Sequence, residues 1–286
     1  MPEPTHTISV ITDEVSPRLE EGIAFALDEG LSVVDVRSAG GVNFLSLDQA
    51  AQKAAARQIK DAGLKVGCFA TPLLKWSPPG KTARTKGDQF GFDAQGRSNE
   101  ELYRDAFETA AIFGTRNVRV FTFLTYDGFE PRDLEQELSQ LLRLAERYDA
   151  VVHVENEPVC NIDSVSSLVE LVRSWAHPRL RALLDIGNAW GAGKPPTEAD
   201  LVAVMPYVSL MHFKDYSVKA RRTVPMGEGD VPYAALLHTC LKATKGRALT
   251  LTVETHVPSD PVRATRVSLA GLRACLATAL ASDGEG

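Results

Sequence analysis

The sequence lacks the features that mark secreted, membrane-spanning and disulfide-stabilised proteins. Its four cysteines lie far apart and form no Cys-x-x-Cys pair, which indicates buried free thiols in a reducing compartment. No apolar run approaches the ~20 residues of a membrane span, and residues 1–6 contain neither the basic nor the apolar segment of a secretory signal. These absences predict a cytoplasmic protein that has no membrane partner.

The charge of the chain is mildly acidic and evenly distributed. The formal net charge is −6, and basic and acidic residues are mixed along the sequence. A nucleic-acid partner would require a basic surface that displaces counterions from phosphates, so the sequence predicts none. We expect a small-molecule partner instead, and the composition leaves open whether the chain forms a homo-oligomer.

Strand-like and helix-like patterns alternate along the whole chain. Apolar, β-branched runs predict strands that begin near Ile8, Leu31, Lys65, Asn117, Val151, Arg181, Val208 and Ala248. Amphipathic stretches predict helices at residues 17–29, 47–62, 99–113, 131–148, 164–175, 197–205, 233–245 and 260–280. Eight such pairs in roughly 250 residues are typical of a (β/α)₈ TIM barrel. Because no low-complexity linker interrupts the pattern, we expect a single domain over residues 1–286.

Two loops help to distinguish this barrel from a doubly wound open sheet. An open sheet of that kind usually carries a Gly-rich phosphate loop after its first strand. Residues 12–17 instead read Thr-Asp-Glu-Val-Ser-Pro, without glycine, which favours the barrel. The longest irregular stretch, residues 71–98, follows the third strand and predicts a lid on the catalytic rim.

Four successive predicted strands in the second half of the chain end on residues that bind hard metal ions. These candidate ligands are Glu155, Asp185, His212 and Glu254. The carboxyl ends of neighbouring barrel strands lie about 4.8 Å apart on one rim, so the four side chains can converge. Three carboxylates and an imidazole suit one divalent ion, such as Mn²⁺, Mg²⁺, Zn²⁺ or Co²⁺, that keeps positions open for water or substrate.

The residues around these ligands resemble the successive motifs of the xylose isomerase-like TIM barrels. The motifs are Val36-Arg37-Ser38, Pro72-Leu73-Leu74-Lys75-Trp76, Glu155-Asn156, Asp185-Ile186-Gly187-Asn188, His212-Phe213-Lys214-Asp215, Gly227-Glu228-Gly229 and Glu254. This superfamily contains sugar isomerases and epimerases, inosose and dehydroshikimate dehydratases, and metal-dependent apurinic endonucleases. The resemblance, which extends over nearly the whole chain, implies that the four ligands bind the ion. It also implies that Glu155 and Glu254 act as acid and base.

The resemblance and the ligand pattern together favour an isomerase or epimerase of a small carbohydrate or polyol, whether phosphorylated or not. Glu155 and Glu254 come from the outer strands of the arc and would flank a chelated substrate. A bound ion acidifies the hydrogen beside a carbonyl, so a flanking carboxylate can remove it to give a metal-bound enediolate. The alternative is a lyase that dehydrates a keto-polyol, such as a keto-inositol, through the same enolate.

Two further functions are weaker alternatives. A non-catalytic sugar-binding barrel would share the fold and the rim. An apurinic endonuclease needs several more histidines for a three-metal site, whereas this chain has six histidines in all and none between His6 and His153. Asn188 departs from sugar epimerases, which often have a histidine there, because an amide can bind a hydroxyl but cannot exchange a proton.

Further residues near the predicted rim are candidates for substrate contact. They are Lys214, Asn188, His256, Lys75 and Trp76. Lys214 and His256 each lie two residues beyond a candidate ligand, so in extended backbone each faces the same side as that ligand. Lys75 and Trp76 open the long third loop and could reach a substrate.

Two arginines in or directly after predicted strands are interpreted as structural. Arg37 ends the second strand, and Arg119 lies within the fourth. We expect each to pair with an acidic residue near the start of the chain, namely Asp13, Glu14 or Asp35.

Overall fold

Eight parallel strands form the centre of the protein in a computed structural model that describes residues 6–281. The strands are β1 (Thr7–Val10), β2 (Val33–Val36), β3 (Lys65–Phe69), β4 (Asn117–Val120), β5 (Val151–Glu155), β6 (Leu180–Asp185), β7 (Val208–Phe213) and β8 (Thr250–Val253). Hydrogen bonds join them in the order β1-β8-β7-β6-β5-β4-β3-β2. An isolated parallel bridge between Ile11 and Asp35 brings the two ends of the sheet together. The predicted TIM barrel is confirmed.

An outer helix of between 7 and 21 residues follows each strand and covers the outside of the barrel. These helices are α1 (Leu19–Asp28), α2 (Gln49–Asp61), α3 (Asn99–Phe113), α4 (Glu135–Arg147), α5 (Val165–Trp175), α6 (Glu198–Val204), α7 (Tyr233–Thr244) and α8 (Pro261–Ala281). In α4 the residues Leu138, Leu141, Leu142 and Ala145 are buried, which is the spacing of one helix face. The single domain over residues 1–286 stays a prediction, because residues 1–5 and 282–286 lie outside the described part.

The second strand begins two residues later than the sequence pattern indicates. Gly30 has a φ of +69°, and the backbone N–H of Leu31 donates to the Ala26 carbonyl at 2.8 Å. This bond closes the end of α1, so Leu31 belongs to the helix cap and β2 starts only at Val33.

Two short helices at the mouth of the barrel were not predicted. One covers Thr12–Val15 directly after β1, and the other covers Ile186–Gly191 directly after β6. Each is too short to show helical periodicity in the sequence, and the second contains two glycines, which are poor helix formers. The Asp185 side chain caps it by accepting from the Asn188 backbone N–H at 2.7 Å.

The two long loops lie at the same end of the barrel. Residues 71–98, all within the described part, contain neither helix nor strand. The loop after β7 contains an antiparallel hairpin of Asp215–Ser217 with Arg222–Val224, which the sequence pattern did not indicate. Between residues 6 and 281, no helix combines the length and the apolar character that a membrane crossing requires.

Candidate metal centre

The four candidate ligands meet at the carboxyl end of the barrel, and all are buried. Glu155 and Asp185 are the last residues of β5 and β6, His212 lies one residue before the end of β7, and Glu254 directly follows β8. In the β6–β7 ladder Asp185 is directly opposite His212. One ligand atom from each side chain lies within 4.8 Å of those of the other three. The barrel register, and not chain proximity, therefore assembles the cluster.

The chemistry of the cluster fits a single divalent ion. Three of its buried atoms make no contact with hydrogen-bond geometry, namely Glu155 Oε2, Asp185 Oδ2 and His212 Nε2. The two carboxylate oxygens lie 3.1 Å and 2.9 Å from the cationic groups of Arg119 and Lys214. Buried polar atoms are normally hydrogen-bonded, so the ring nitrogen in particular indicates a missing ligand. A divalent ion binds its ligand atoms at about 2.0–2.6 Å, so one ion could contact four atoms that lie within 4.8 Å of one another. Carboxylate oxygens and an imidazole nitrogen are donors that divalent metals bind.

Asp185 is fixed in place by the turn that follows it. Its Oδ1 accepts from the Asn188 N–H, which leaves Oδ2 for the cluster. The Asn156 side chain bonds both backbone groups of Asp185, donating to its carbonyl at 2.7 Å and accepting from its N–H at 3.0 Å. Asn188 Nδ2 donates to the Asn156 carbonyl at 2.9 Å. The two asparagines thus hold the ends of β5 and β6 together.

Lys214 is buried in the cluster. Its Nζ lies 2.7 Å from Glu254 Oε2 and 2.9 Å from Asp185 Oδ2, although only the contact with Glu254 has hydrogen-bond angles. It also donates to Asn188 Oδ1 at 3.2 Å. A Cβ on Gly187 would come within 2.2 Å of the Lys214 carbonyl oxygen, so this approach requires glycine there.

Arg37 forms the ion pairs predicted with the start of the chain and one that was missed. Its Nε lies 2.9 Å from Asp13 Oδ2 and its Nη2 lies 2.5 Å from Glu14 Oε1, as expected. Its Nη1 also lies 2.9 Å from Glu254 Oε1. Arg37 therefore orients a candidate ligand through the planar fork of its guanidinium.

The prediction for Arg119 is wrong. Its Nη1 contacts Glu155 Oε2 at 3.1 Å and Glu254 Oε1 at 3.5 Å, and not an acidic residue near the start of the chain. The guanidinium packs over the Phe121 ring, 4.7 Å from its centroid. An arginine inside an apolar strand needs a buried carboxylate, and the neighbouring strand β5 supplies that of Glu155.

The buried charges set the ionisation of the cluster. Burial alone would lower the pKa of His212, but the carboxylates of Glu155 and Glu254 raise it to about 10. Burial would raise the pKa of Glu155, but His212 and a neighbouring arginine lower it to about 2. For Asp185, burial raises the pKa to about 6, although Lys214 acts in the opposite direction. In the state described, His212 is protonated and both glutamates are ionised at neutral pH.

His256 forms the solvent-facing edge of the cluster. Its Nε2 lies 3.4 Å from Glu254 Oε1 and its Nδ1 lies 3.5 Å from Glu14 Oε1, with about a third of the side chain exposed. Its ring stacks on that of Phe90 from the long third loop, with the centroids 5.7 Å apart. No pattern in the sequence indicated a role for Phe90.

Lys75 and Trp76 lie further from the ligands. The Lys75 Nζ is 3.2 Å from Glu157 Oε2 and lies over the Phe121 ring. Trp76 stacks on Phe92 within the same loop, with the centroids 5.9 Å apart. Substrate contact by either residue stays a prediction.

Comparison with known proteins identifies relatives by sequence family and by structure. The family model described as "Xylose isomerase-like TIM barrel" matches residues 23–275. No curated protein sequence matches the chain.

Several solved structures share the fold at low sequence identity. An L-ribulose 3-epimerase has a TM-score of 0.74 and 13% identity, with 98% of this chain and 97% of the other covered. IOLI protein with a bound zinc atom has a TM-score of 0.72 and 13% identity, covering 94% and 97%. The probable 3-DHS dehydratase AsbF from Bacillus anthracis has a TM-score of 0.69 and 18% identity, covering 92% and 98%. At these identities the likeness shows the fold alone.

The close approach at Gly187 yields a stability prediction. Gly187→Ala should lower the free energy of unfolding by about 1–3 kcal/mol, because the added methyl group forces the Lys214 backbone to move. Gly191→Ala, in the same short helix, is the matched control, since its Cβ would make only an ordinary contact at 3.6 Å. Urea denaturation measures both variants. Equal stability of the two would show that the site tolerates a side chain at residue 187.

Proposed function

Because the chain belongs to the xylose isomerase-like TIM barrel family, we propose that it is a divalent-metal-dependent isomerase or epimerase of a small carbohydrate or polyol. The observation that carries the proposal is the buried group of Glu155, Asp185, His212 and Glu254, whose ligand atoms lie within 4.8 Å of one another. Structural similarity to an L-ribulose 3-epimerase and to IOLI protein with bound zinc supports it.

The two glutamates are suited to move a proton between opposite sides of a substrate. Glu155 Oε1 and Glu254 Oε2 lie 3.1 Å and 3.3 Å from His212 Nδ1, so both carboxylates border one small volume. A divalent ion bound there would polarise a substrate carbonyl and acidify the neighbouring carbon-bound hydrogen. One glutamate accepts this proton, and the other returns one to the opposite face in an epimerisation. In an isomerisation the proton returns to the adjacent carbon, and the hydroxyl proton on one oxygen moves to the other, so that the carbonyl and the hydroxyl exchange places.

Lys214 supplies positive charge where the substrate oxygen becomes negative. Its ammonium is held between Asp185 and Glu254, and its pKa is raised well above the usual value because these carboxylates outweigh the effect of burial. Lys214 therefore stays protonated, and its positive charge can stabilise the developing oxyanion from beside these carboxylates. Asn188, whose Oδ1 accepts from Lys214, positions the ammonium. Direct substrate contact by Asn188 stays a prediction.

A dehydratase of a keto-polyol is the second candidate function. It would use the same proton abstraction and would also need an acid at the departing hydroxyl. His256 is the candidate acid, because it lies 3.4 Å from Glu254 and is partly exposed at the mouth. The similarity to the probable 3-DHS dehydratase supports this alternative. Exchange of substrate hydrogen with solvent deuterium would detect the shared step, and product analysis would separate the two.

Metal content tests the ligand assignment directly. We expect about one divalent ion per chain, and Asp185→Ala and His212→Ala should each lose most of it, because either change removes one of the proposed donors. Asp61→Asn, an exposed change at the end of α2, is the control and should retain the ion. Elemental analysis measures the ratio. Unchanged metal in both alanine variants would contradict the site.

The pH dependence of metal affinity follows from the pKa values of the ligands. Binding requires neutral His212, whose pKa is about 10, so one proton must leave and the logarithm of the affinity should rise by about one per pH unit between pH 6 and 10. Below pH 6 the slope should approach two, because Asp185 also becomes protonated. Competition with a chromophoric chelator measures the slope. A pH-independent affinity would contradict metal binding by these groups.

Replacing either glutamate by glutamine tests proton transfer. Glu155→Gln and Glu254→Gln keep an oxygen donor but remove the base, so each should lower turnover by about 10²–10⁴-fold while much of the metal remains. If the two residues act on opposite sides, one variant should still exchange substrate hydrogen with deuterium without forming product.

An exposed glutamate provides the control. Glu228 lies on the surface and pairs with Arg263, so Glu228→Gln should leave turnover unchanged. Near-normal turnover in both Glu155→Gln and Glu254→Gln would show that other groups transfer the proton.

A further inference from the structure

A pocket of about 380 Å³ lies beside Glu254 on the outer side of the candidate metal centre. It is lined by Asp13, Glu14, Arg37, Asp88, Phe90 and His256, together with neighbouring residues of the loops after β1 and β8. Its volume is within the range of about 300–1,000 Å³ that small-molecule sites occupy. Arg37 and His256 both contact the Glu254 carboxylate, so the pocket adjoins the proposed reaction centre.

The positive charge of Arg37 in this pocket is already paired with carboxylates. The three donor nitrogens of Arg37 that form ion pairs each contact a different carboxylate, those of Asp13, Glu14 and Glu254. One face of the guanidinium is covered by the Phe90 ring, with Cζ 3.5 Å from the ring centroid. Only 2% of the Arg37 side chain is exposed. The guanidinium of Arg37 is therefore not available to bind an incoming anion.

The other buried cations near the candidate ligands are paired in the same way. Lys75 pairs with Glu157, Lys214 with Asp185 and Glu254, and Arg119 with Glu155 and Glu254, which are all contacts within the described residues. An anion that approached one of these cations would have to displace a carboxylate. Of the two basic residues that line the pocket, His256 is the partly exposed one, and both of its nitrogens face carboxylates.

Acceptor groups, in contrast, remain available. Asp13 Oδ2 accepts from Arg37 and Ser38, but its Oδ1 has no hydrogen-bond partner although the side chain is only 6% exposed. A buried acceptor without a donor indicates a place for a ligand hydroxyl. Asp88 adds an exposed carboxylate at the pocket edge, where it accepts from the Phe90 N–H at 2.7 Å. The Phe90 ring supplies an apolar wall.

We propose that this pocket binds the end of the substrate remote from the reacting carbons and that this end is a neutral polyhydroxyl group, not a phosphate. A phosphate ester carries about −1.5 to −2 charge at neutral pH and would face the carboxylates of Asp13, Glu14 and Asp88. A sugar hydroxyl can instead donate to Asp13 Oδ1, and its C–H face can pack on Phe90. The inference rests on the proposed function because it assigns the substrate class of that site.

Equilibrium binding tests the charge preference without requiring turnover. D-fructose and D-fructose 6-phosphate, and sorbitol and sorbitol 6-phosphate, are titrated into the metal-loaded protein at low ionic strength and followed by ligand-observed NMR. The neutral compound of each pair should bind at least about tenfold more tightly, because the ester faces three carboxylates whereas the one arginine of the pocket is already paired. Equal or tighter binding of the esters, or binding of neither compound, would overturn the inference.

A single substitution tests whether the preference for neutral over phosphorylated compounds arises in this pocket. Asp88→Asn keeps the acceptor for the Phe90 N–H but removes one charge, so the neutral-to-phosphate affinity ratio should fall about three- to fivefold at low salt and less at high salt. Asp61→Asn removes an equally exposed charge elsewhere and should leave the ratio unchanged. An unchanged ratio in Asp88→Asn would show that the discrimination arises elsewhere and would overturn the assignment to this pocket.

Deuterium exchange on matched ketoses and ketose phosphates separates this inference from the proposed function. Tight binding of neutral compounds with no exchange on any ketose would overturn the proposed function while the pocket assignment stands. Faster exchange on a ketose phosphate than on its parent ketose would overturn the substrate class while the proposed function stands.

Discussion

The burial of three carboxylates at one point of the barrel mouth is the constraint on which the rest of the site depends. Glu155, Asp185 and Glu254 are all buried, and an isolated buried charge is strongly unfavourable. The protein compensates with cations from strands and loops that are distant in sequence, namely Arg37, Arg119, His212 and Lys214. Removing one member of such a group typically costs 3–5 kcal/mol, because its partner is left buried and unpaired.

This charge balance suits the proposed metal site. Glu254 is held by Arg37 and Lys214, and Glu155 is held by Arg119, so both carboxylates are ionised and oriented before any ion arrives. The protonated state of His212 has the opposite effect, because its proton must leave before the ring can bind a metal. A bound ion would take over part of the compensation that these cations provide.

The same compensation has a consequence for substrate selection. Because Arg37 is paired with carboxylates on three sides and covered by Phe90, its charge stabilises the protein and is not offered to a ligand. The mouth is therefore rich in acceptors, although it contains several basic residues. A count of positive charges in the sequence would lead to the opposite expectation, since pairing is decided by the fold.

The barrel could be predicted from the sequence, and so could the four candidate ligands that the fold brings together. Parallel strands buried on both faces require continuous apolar runs, and a charged residue that interrupts such a run marks the strand end, as at Glu155 and Asp185. The short helices could not be predicted from apolar runs. The helix Ile186–Gly191 depends on its cap at Asp185 and on the close approach of Lys214, neither of which has a periodic signal.

The pairing of the charged side chains could not be predicted, because it depends on the tertiary structure. The sequence indicated that Arg119 pairs with an acidic residue. The register of β4 beside β5 determines which one, because it places the guanidinium next to Glu155. Phe90 reaches His256 and Arg37 through a loop without regular structure, so no local pattern predicted its position. Apolar periodicity is a local property of the chain and can be read from the sequence. Pairing depends on distances between segments that meet only when the barrel closes.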